Sequence, residues 1–238
     1  MRDESCLLLL LVAALYPGAG PASVGVYDNG IMDIPLPSSP AAERNRQPIL
    51  DALQQVLPAR GMALEIASGT GQHVAWFGAA MRSWIWQPTD GDPQALPAIA
   101  AWSAQAHLTN VRAPLVLDVM AERWPASGPA FTETFDAVYC ANMLHIAAWE
   151  SCGALMRGSS RHLALDGVLI TYGPYLETGV TPAPGNLAFG ASLRERNPQW
   201  GIRALPDVVA QARLVGLRLQ ARREMPANNL LLVFGRTH

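Results

Sequence analysis

Two hydrophobic periods alternate along the chain. Ile49, Leu50, Leu53, Val56 and Leu57 fall three and four residues apart, the apolar stripe of a helix. Pro48 suits the first turn of that helix, and Pro58 and Gly61 end it. A short apolar run then follows at 62–67, between Gly61 and Gly69, and reads as a buried strand. The same alternation continues. Strands are predicted at 84–89, 114–119, 135–141 and 167–172, and helices at 72–81, 93–106 and 147–162. An irregular stretch spans 173–185, and helical pieces follow at 188–196 and 206–214. Two strands, 217–224 and 230–234, close the chain.

Strands that alternate with helices make a parallel sheet covered on both faces. The last two strands have no helix between them, and so short a link permits only an antiparallel pairing. The expected fold is therefore α/β and Rossmann-like, a seven-stranded, mostly parallel sheet with one antiparallel strand near the C-terminus. Its domain is expected to span 39–238.

Composition narrows the class. The chain has 238 residues, half of them hydrophobic and 15% charged, which suits one globular domain. The net charge is -2 and every strongly basic residue is Arg. No broad basic face follows, so an extended nucleic-acid surface is not expected. Three cysteines, Cys6, Cys140 and Cys152, form no CxxC pair and fit a reducing, cytoplasmic setting. Residues 6–15 form an apolar run too short to span a bilayer. It has the length of a signal-peptide core, but Arg2, Asp3 and Glu4 before it give no positive n-region. Residues 1–38 are thus expected to be a disordered or misassigned extension, with an export signal and an accessory segment as alternatives. A membrane role is not expected.

The candidate chemistry lies at successive strand ends. The first strand runs into Glu65-Ile66-Ala67-Ser68-Gly69-Thr70-Gly71. Gly69 and Gly71 allow a tight turn and a close ligand approach. A dinucleotide fingerprint needs a third glycine where Val74 stands. The Glu65 carboxylate would also repel a pyrophosphate, but it suits a cation such as the amino group or sulfonium of S-adenosylmethionine. Asp90, about 20 residues past the glycine loop, suits a pair of ribose hydroxyls. Asp92 reads as a helix cap before Pro93. Asp118 and Val119, at the third strand's end, suit an adenine. The candidate cofactor set is Glu65, Ala67, Gly69, Gly71, Asp90, Asp118, Val119 and Asn142, with no metal site.

Several longer motifs carry a resemblance. They include Ala41-Ala42-Glu43-Arg44-Asn45-Arg46, Glu65 through His73, Trp86-Gln87-Pro88-Thr89-Asp90, and Asn142-Met143-Leu144-His145-Ile146. Further ones are Tyr172-Gly173-Pro174-Tyr175, Arg196-Asn197-Pro198-Gln199-Trp200-Gly201 and Met225-Pro226-Ala227-Asn228-Asn229. Residues 39–234 resemble the class I methyltransferase-like family that includes methyltransferase-like protein 26. The resemblance implies the seven-stranded methyltransferase sheet and S-adenosyl-L-methionine as cofactor, and Arg44 and Asn45 look like part of a lid. It leaves the methyl acceptor open, with a small molecule favoured.

On the acceptor side the candidates are Asn142, His145 and Tyr172. Asn142 and His145 are three apart, so a helical turn would put them on one face. Asn142 suits an amide or amine, and His145 a base near neutral pH. Each also has a structural explanation: His145 as a packed turn residue, Tyr172 as a core aromatic, and Asn228 with Asn229 as a hairpin turn. Three functions are weighed: a methyltransferase, a non-catalytic cofactor-binding regulator, and a nicotinamide-dependent oxidoreductase. Val74 and the terminal strand pair disfavour the last.

Overall fold

A computed structural model describes residues 36–236. The expectations for residues 1–35 lie outside the described residues.

The first helix, α1 (Pro40–Val56), begins earlier than the apolar stripe suggested. Ser39 caps it, its side chain accepting from the Ala42 N–H at 3.2 Å, and Pro40 takes the N1 place. Pro48 therefore sits inside the helix rather than at its start. The missing N–H is tolerated because the buried stripe of Ile49, Leu50 and Leu53 holds the C-terminal half against the sheet. Next come β1 (Gly61–Ile66), α2 (Gln72–Ala80), β2 (Trp84–Asp90) and, after a 3-10 turn capped by Asp92, α3 (Leu96–Gln105).

The third strand, β3, is only Leu115–Val116, shorter than the expected 114–119. β2 ends at Asp90, so residues beyond Leu117 have no strand to pair with, and Pro88 interrupts the pairing before Leu115. Trp86, Pro88 and Asp90 face β3, and Trp86 and Asp90 make backbone bonds to Asn110, Arg112 and Leu117. Pro88 has no N–H to offer between them. The Gln87 side chain fills in, donating to the Ala113 carbonyl at 2.9 Å.

The remaining elements are β4 (Phe135–Ala141), α4 (Glu150–His162) and β5 (Leu163–Gly173), then β6 (Tyr175–Leu176), α5 (Pro184–Arg196) and β7 (Arg203–Ala204). The chain closes with α6 (Leu205–Arg213), β8 (Leu217–Met225) and β9 (Asn229–Arg236). The stretch expected to be irregular after Gly173 contains β6, which pairs with β7 in a small separate sheet.

The main sheet has seven strands in the order β3-β2-β1-β4-β5-β9-β8. All pairs are parallel except those of β9, which runs antiparallel to both β5 and β8. This is the α/β class expected from the pattern. Side chains alternate between the faces. Ala137 and Tyr139 of β4 join the core with α1, α2 and α3, while Val138 and Cys140 join the core with α4 and α6. Cys140 and Cys152 are buried free thiols. Among the described residues no helix is long and apolar enough to cross a membrane.

Candidate cofactor and acceptor site

The order reverses between β1 and β4, and a crevice opens beyond their carboxyl ends. The cleft there is lined by Glu65, Ala67, Ser68, Gly69, Thr70 and His73 from β1 and its loop, Ala141, Asn142 and Ile146 beyond β4, and Ser39, Ala41, Ala42 and Asn45 of α1. The first turns of α1 roof it, leaving about 150 Å³. That is below the few hundred Å³ usual for a small-molecule site.

Local backbone chemistry builds the floor. Ala67, Gly69 and Gly71 are left-handed, with φ of 55°, 58° and 85°. Gly71 is required by packing: a Cβ there would lie 2.6 Å from the Ile99 Cα. It lets α2 approach α3 and is not among the cleft-lining residues. Asp90 anchors the loop, one carboxylate oxygen accepting from the Gly69 N–H at 2.8 Å and the other from the Asp92 N–H at 2.9 Å. Burial raises its pKa, and these bonds oppose the rise. The Gly91 backbone also bonds it, so three of its about four acceptor sites are taken. Asp118 is exposed and accepts from the Met120 N–H at 2.8 Å, while the neighbouring Val119 is buried.

Glu65 is the exceptional group. It is 2% exposed, and its Oε2 has no hydrogen-bond partner. Burial pushes its carboxyl up to about 7, against the lowering effect of a Ser68 hydrogen bond, and the Asp90 charge adds to the rise. The Tyr139 hydroxyl is also buried and unpartnered, and its own pKa is raised by burial and then by Glu65.

The roof helix is tied to the floor through Gln72. Its Oε1 accepts from the Ser39 N–H and from the Thr70 hydroxyl, and its Nε2 donates to Glu43 at 2.5 Å. Asn45 joins two walls: its Oδ1 lies 2.7 Å from His73 Nε2, and its side chain bonds the Tyr172 hydroxyl. Burial and then the Arg46 charge lower His73 to about 4, so the ring is neutral and donates to Asn45.

The acceptor-side candidates separate. Asn142 is left-handed at φ 60°, donates its N–H to the Tyr172 carbonyl at 2.8 Å and lines the cleft. His145 is 1% exposed, sits edge-on to the Tyr175 ring and does not line the cleft. Burial, then the Arg203 charge, push it down to about 3, against a raising effect of the Gly201 backbone. As placed it is a neutral ring packed under the turn, not a base poised near neutral pH. Tyr172 is buried, held by Asn45, and is not among the cleft-lining residues. Ser39, Gln72 and Tyr139 were not anticipated. Their types carry no signal, and only the fold brings them to the site. Asn228 sits at the terminal hairpin, as a turn residue should.

Solved structures similar to this chain include several methyltransferases. They include CalO1, a methyltransferase of calicheamicin biosynthesis in its SAH-bound form (12% identity, TM-score 0.67), covering 83% of this chain and 54% of its own. The mitomycin 7-O-methyltransferase MmcR is 14% identical with TM-score 0.69, covering 83% and 54%. An O-methyltransferase family protein from Burkholderia thailandensis is 16% identical with TM-score 0.68, covering 83% and 57%. This chain thus spans little more than half the length of those proteins, and the likeness is one of fold. A family model described as "Protein of unknown function (DUF938)" matches residues 36–236, all of the described chain. The chain belongs to that family.

Proposed function

We propose that this protein is an S-adenosylmethionine-dependent methyltransferase acting on a small molecule in the cytosol, within the kinship of methyltransferase-like protein 26 that its motifs suggest. The carrying observation is Glu65: a buried carboxylate with one unpartnered oxygen, lining a cleft at the switch point of the sheet. Such an acceptor fits a cationic amino group and disfavours a pyrophosphate.

The residues present fit the cofactor. Glu65 would take its amino group, the backbone of Ala67 to Gly69 would lie along its chain, and Asp90 would offer its remaining acceptor site to a ribose hydroxyl. Asp118 and Val119 would border the adenine. When bound, the cofactor supplies an electrophilic methyl carbon on a sulfonium, from which an acceptor's lone pair displaces a neutral thioether. The protein's task is then alignment and exclusion of water. The first turns of α1 cover the cleft, and Asn142 at its rim offers a donor and an acceptor to orient the incoming group. His73 holds Asn45, and Asn45 holds Tyr172, so the roof helix is tied to α2 and to β5.

A non-catalytic cofactor-binding regulator is the second reading. The observation favouring it is the enclosure of His145, which leaves neutral His73 and Glu65 as the titratable groups lining the cleft. Calorimetric titration of the full chain with S-adenosylmethionine and S-adenosylhomocysteine, with NAD as control, is the test. Micromolar binding of the first two without NAD is expected. Preference for NAD would replace the proposal with an oxidoreductase, and methyl-group turnover on a screened acceptor separates enzyme from regulator.

A further inference from the structure

A second groove opens on the same edge of the sheet, about 310 Å³ in volume. Its walls come from the segment after β6, from α5 and from the β8–β9 hairpin. The apolar part includes Tyr175, Val180 and Leu230, and the polar part Glu177, Arg222 and Glu224.

Its place relative to the cleft follows from the strand pairing. Asn142 of the cleft bonds the Tyr172 carbonyl of β5, and the next residue, Gly173, pairs with Leu230 of β9 in the groove. Neighbouring strands lie about 4.8 Å apart, so two spacings put the groove roughly 10 Å from the cleft along the edge. Gly173 stands between them, and His145 fills the space its side chain would take. A Cβ there would meet His145 Nε2 at 2.3 Å and Asn142 Oδ1 at 3.2 Å. His145 in turn packs against Tyr175, with ring centroids 5.2 Å apart, and Tyr175 borders the groove.

The groove's rim is a built feature. Ala227 and Asn228 are both left-handed, at φ 58° and 55°, a conformation that costs L residues energy. The Asn186 side chain donates to the Asn228 carbonyl at 3.1 Å, and the Asn229 side chain donates to the Pro226 carbonyl at 2.9 Å. The charge has a definite sign. Arg222 is bound two-pronged by Glu177, at 2.5 and 2.6 Å, and also reaches Glu224 at 3.2 Å. Two carboxylates share one guanidinium, and the other lining residues carry no charge. The Glu224 side chain is 82% exposed and keeps free lone pairs.

We propose that this groove is the acceptor subsite, taking a small molecule with an apolar body and a cationic amine. This rests on the methyltransferase reading above. The apolar body lies against Tyr175, Val180 and Leu230, and the ammonium sits at Glu224. An ammonium has no free lone pair, so the atom that receives the methyl group is at the other end, on the side facing Gly173 and the cleft. An anionic acceptor meets the net negative rim and is rejected.

The test uses the full chain saturated with S-adenosylhomocysteine, whose own binding is titrated first on the same sample. Phenethylamine and phenylacetate, equal in body and opposite in charge, are then followed by methyl NMR signals. Phenethylamine is expected to bind in the millimolar range and shift Val180 and Leu230, with phenylacetate at least about tenfold weaker. Val180→Trp fills the groove from a position 57% exposed, so folding is spared. It should abolish the amine's shifts and leave S-adenosylhomocysteine affinity unchanged. Glu224→Lys should reverse the preference. Equal binding of the two probes, shifts that survive Val180→Trp, or no binding at about 10 mM would overturn the subsite. Loss of S-adenosylhomocysteine binding in the unaltered chain would instead overturn the methyltransferase reading.

Discussion

At the scale of single residues, Glu65 sets the behaviour of the cleft. Its carboxyl is held at about 7 chiefly by burial, so near neutral pH the empty site is part acid and part carboxylate. A cationic amino group needs the carboxylate. Affinity for S-adenosylmethionine should therefore rise as pH climbs toward 7, and be about tenfold weaker at pH 6 than at the plateau. Titration at pH 6, 7 and 8 would show it, and a flat profile would count against the assignment. The folded protein bears the opposite linkage. The carboxyl's pKa is raised on folding, so the native state holds a proton that the unfolded chain has released. Stability is lost as pH rises from the ordinary 4.5 toward 7. Glu65→Gln should thus raise the thermal midpoint of the ligand-free protein at pH 8 but not at pH 4, while weakening cofactor binding. Asp90→Ala is expected to cost about 1–3 kcal/mol of cofactor affinity, because it frees the Gly69 N–H as well as losing an acceptor. His145→Ala should behave as a core deletion, lowering stability by about 2–4 kcal/mol. A pH–rate profile that lost a limb near 6.5 in that variant would show His145 to be a working base instead.

At the scale of elements, α1 is the part that has to move. The cleft it roofs is small, and Gln72 fastens it by bonds to Ser39 and Glu43. Gln72→Leu should speed cofactor release, measured by stopped-flow displacement. An unchanged off-rate would make α1 a fixed wall. The sequence pattern made the strand-helix alternation and the glycine turn plain, because both are written in local periodicity and in residues with special backbone freedom. The start of α1 was misjudged because its first two turns carry little apolar signal and are fixed by the Ser39 cap. β3 was overestimated because Leu117 and Val119 look like strand, while β2 ends at Asp90 and leaves residues beyond Leu117 no strand to pair with. Asn142 and His145 were legible as a pair near the site. Their different fates were not, since the contact of His145 with Tyr175 and Gly173 is tertiary.

At the scale of the whole molecule, both edges of the crevice meet in one sheet. Ligand in the cleft touches β1, β4 and α1 together, so binding should report as global stabilisation. At a hundredfold excess over Kd, S-adenosylhomocysteine should add about 2.7 kcal/mol, seen as a higher thermal midpoint that NAD does not produce. The proline in β2 has a consequence beyond the site. A parallel sheet ending in a long regular strand would offer its unpaired amides as a template for another chain. Here that border is two residues long beside a strand that lacks one donor. The opposite border, β8, shows Arg218, Gln220, Arg222 and Glu224 to solvent. The molecule should therefore resist edge-to-edge growth from either side, and an amide hydrogen at position 88 would let the pairing of β3 lengthen toward Ala113.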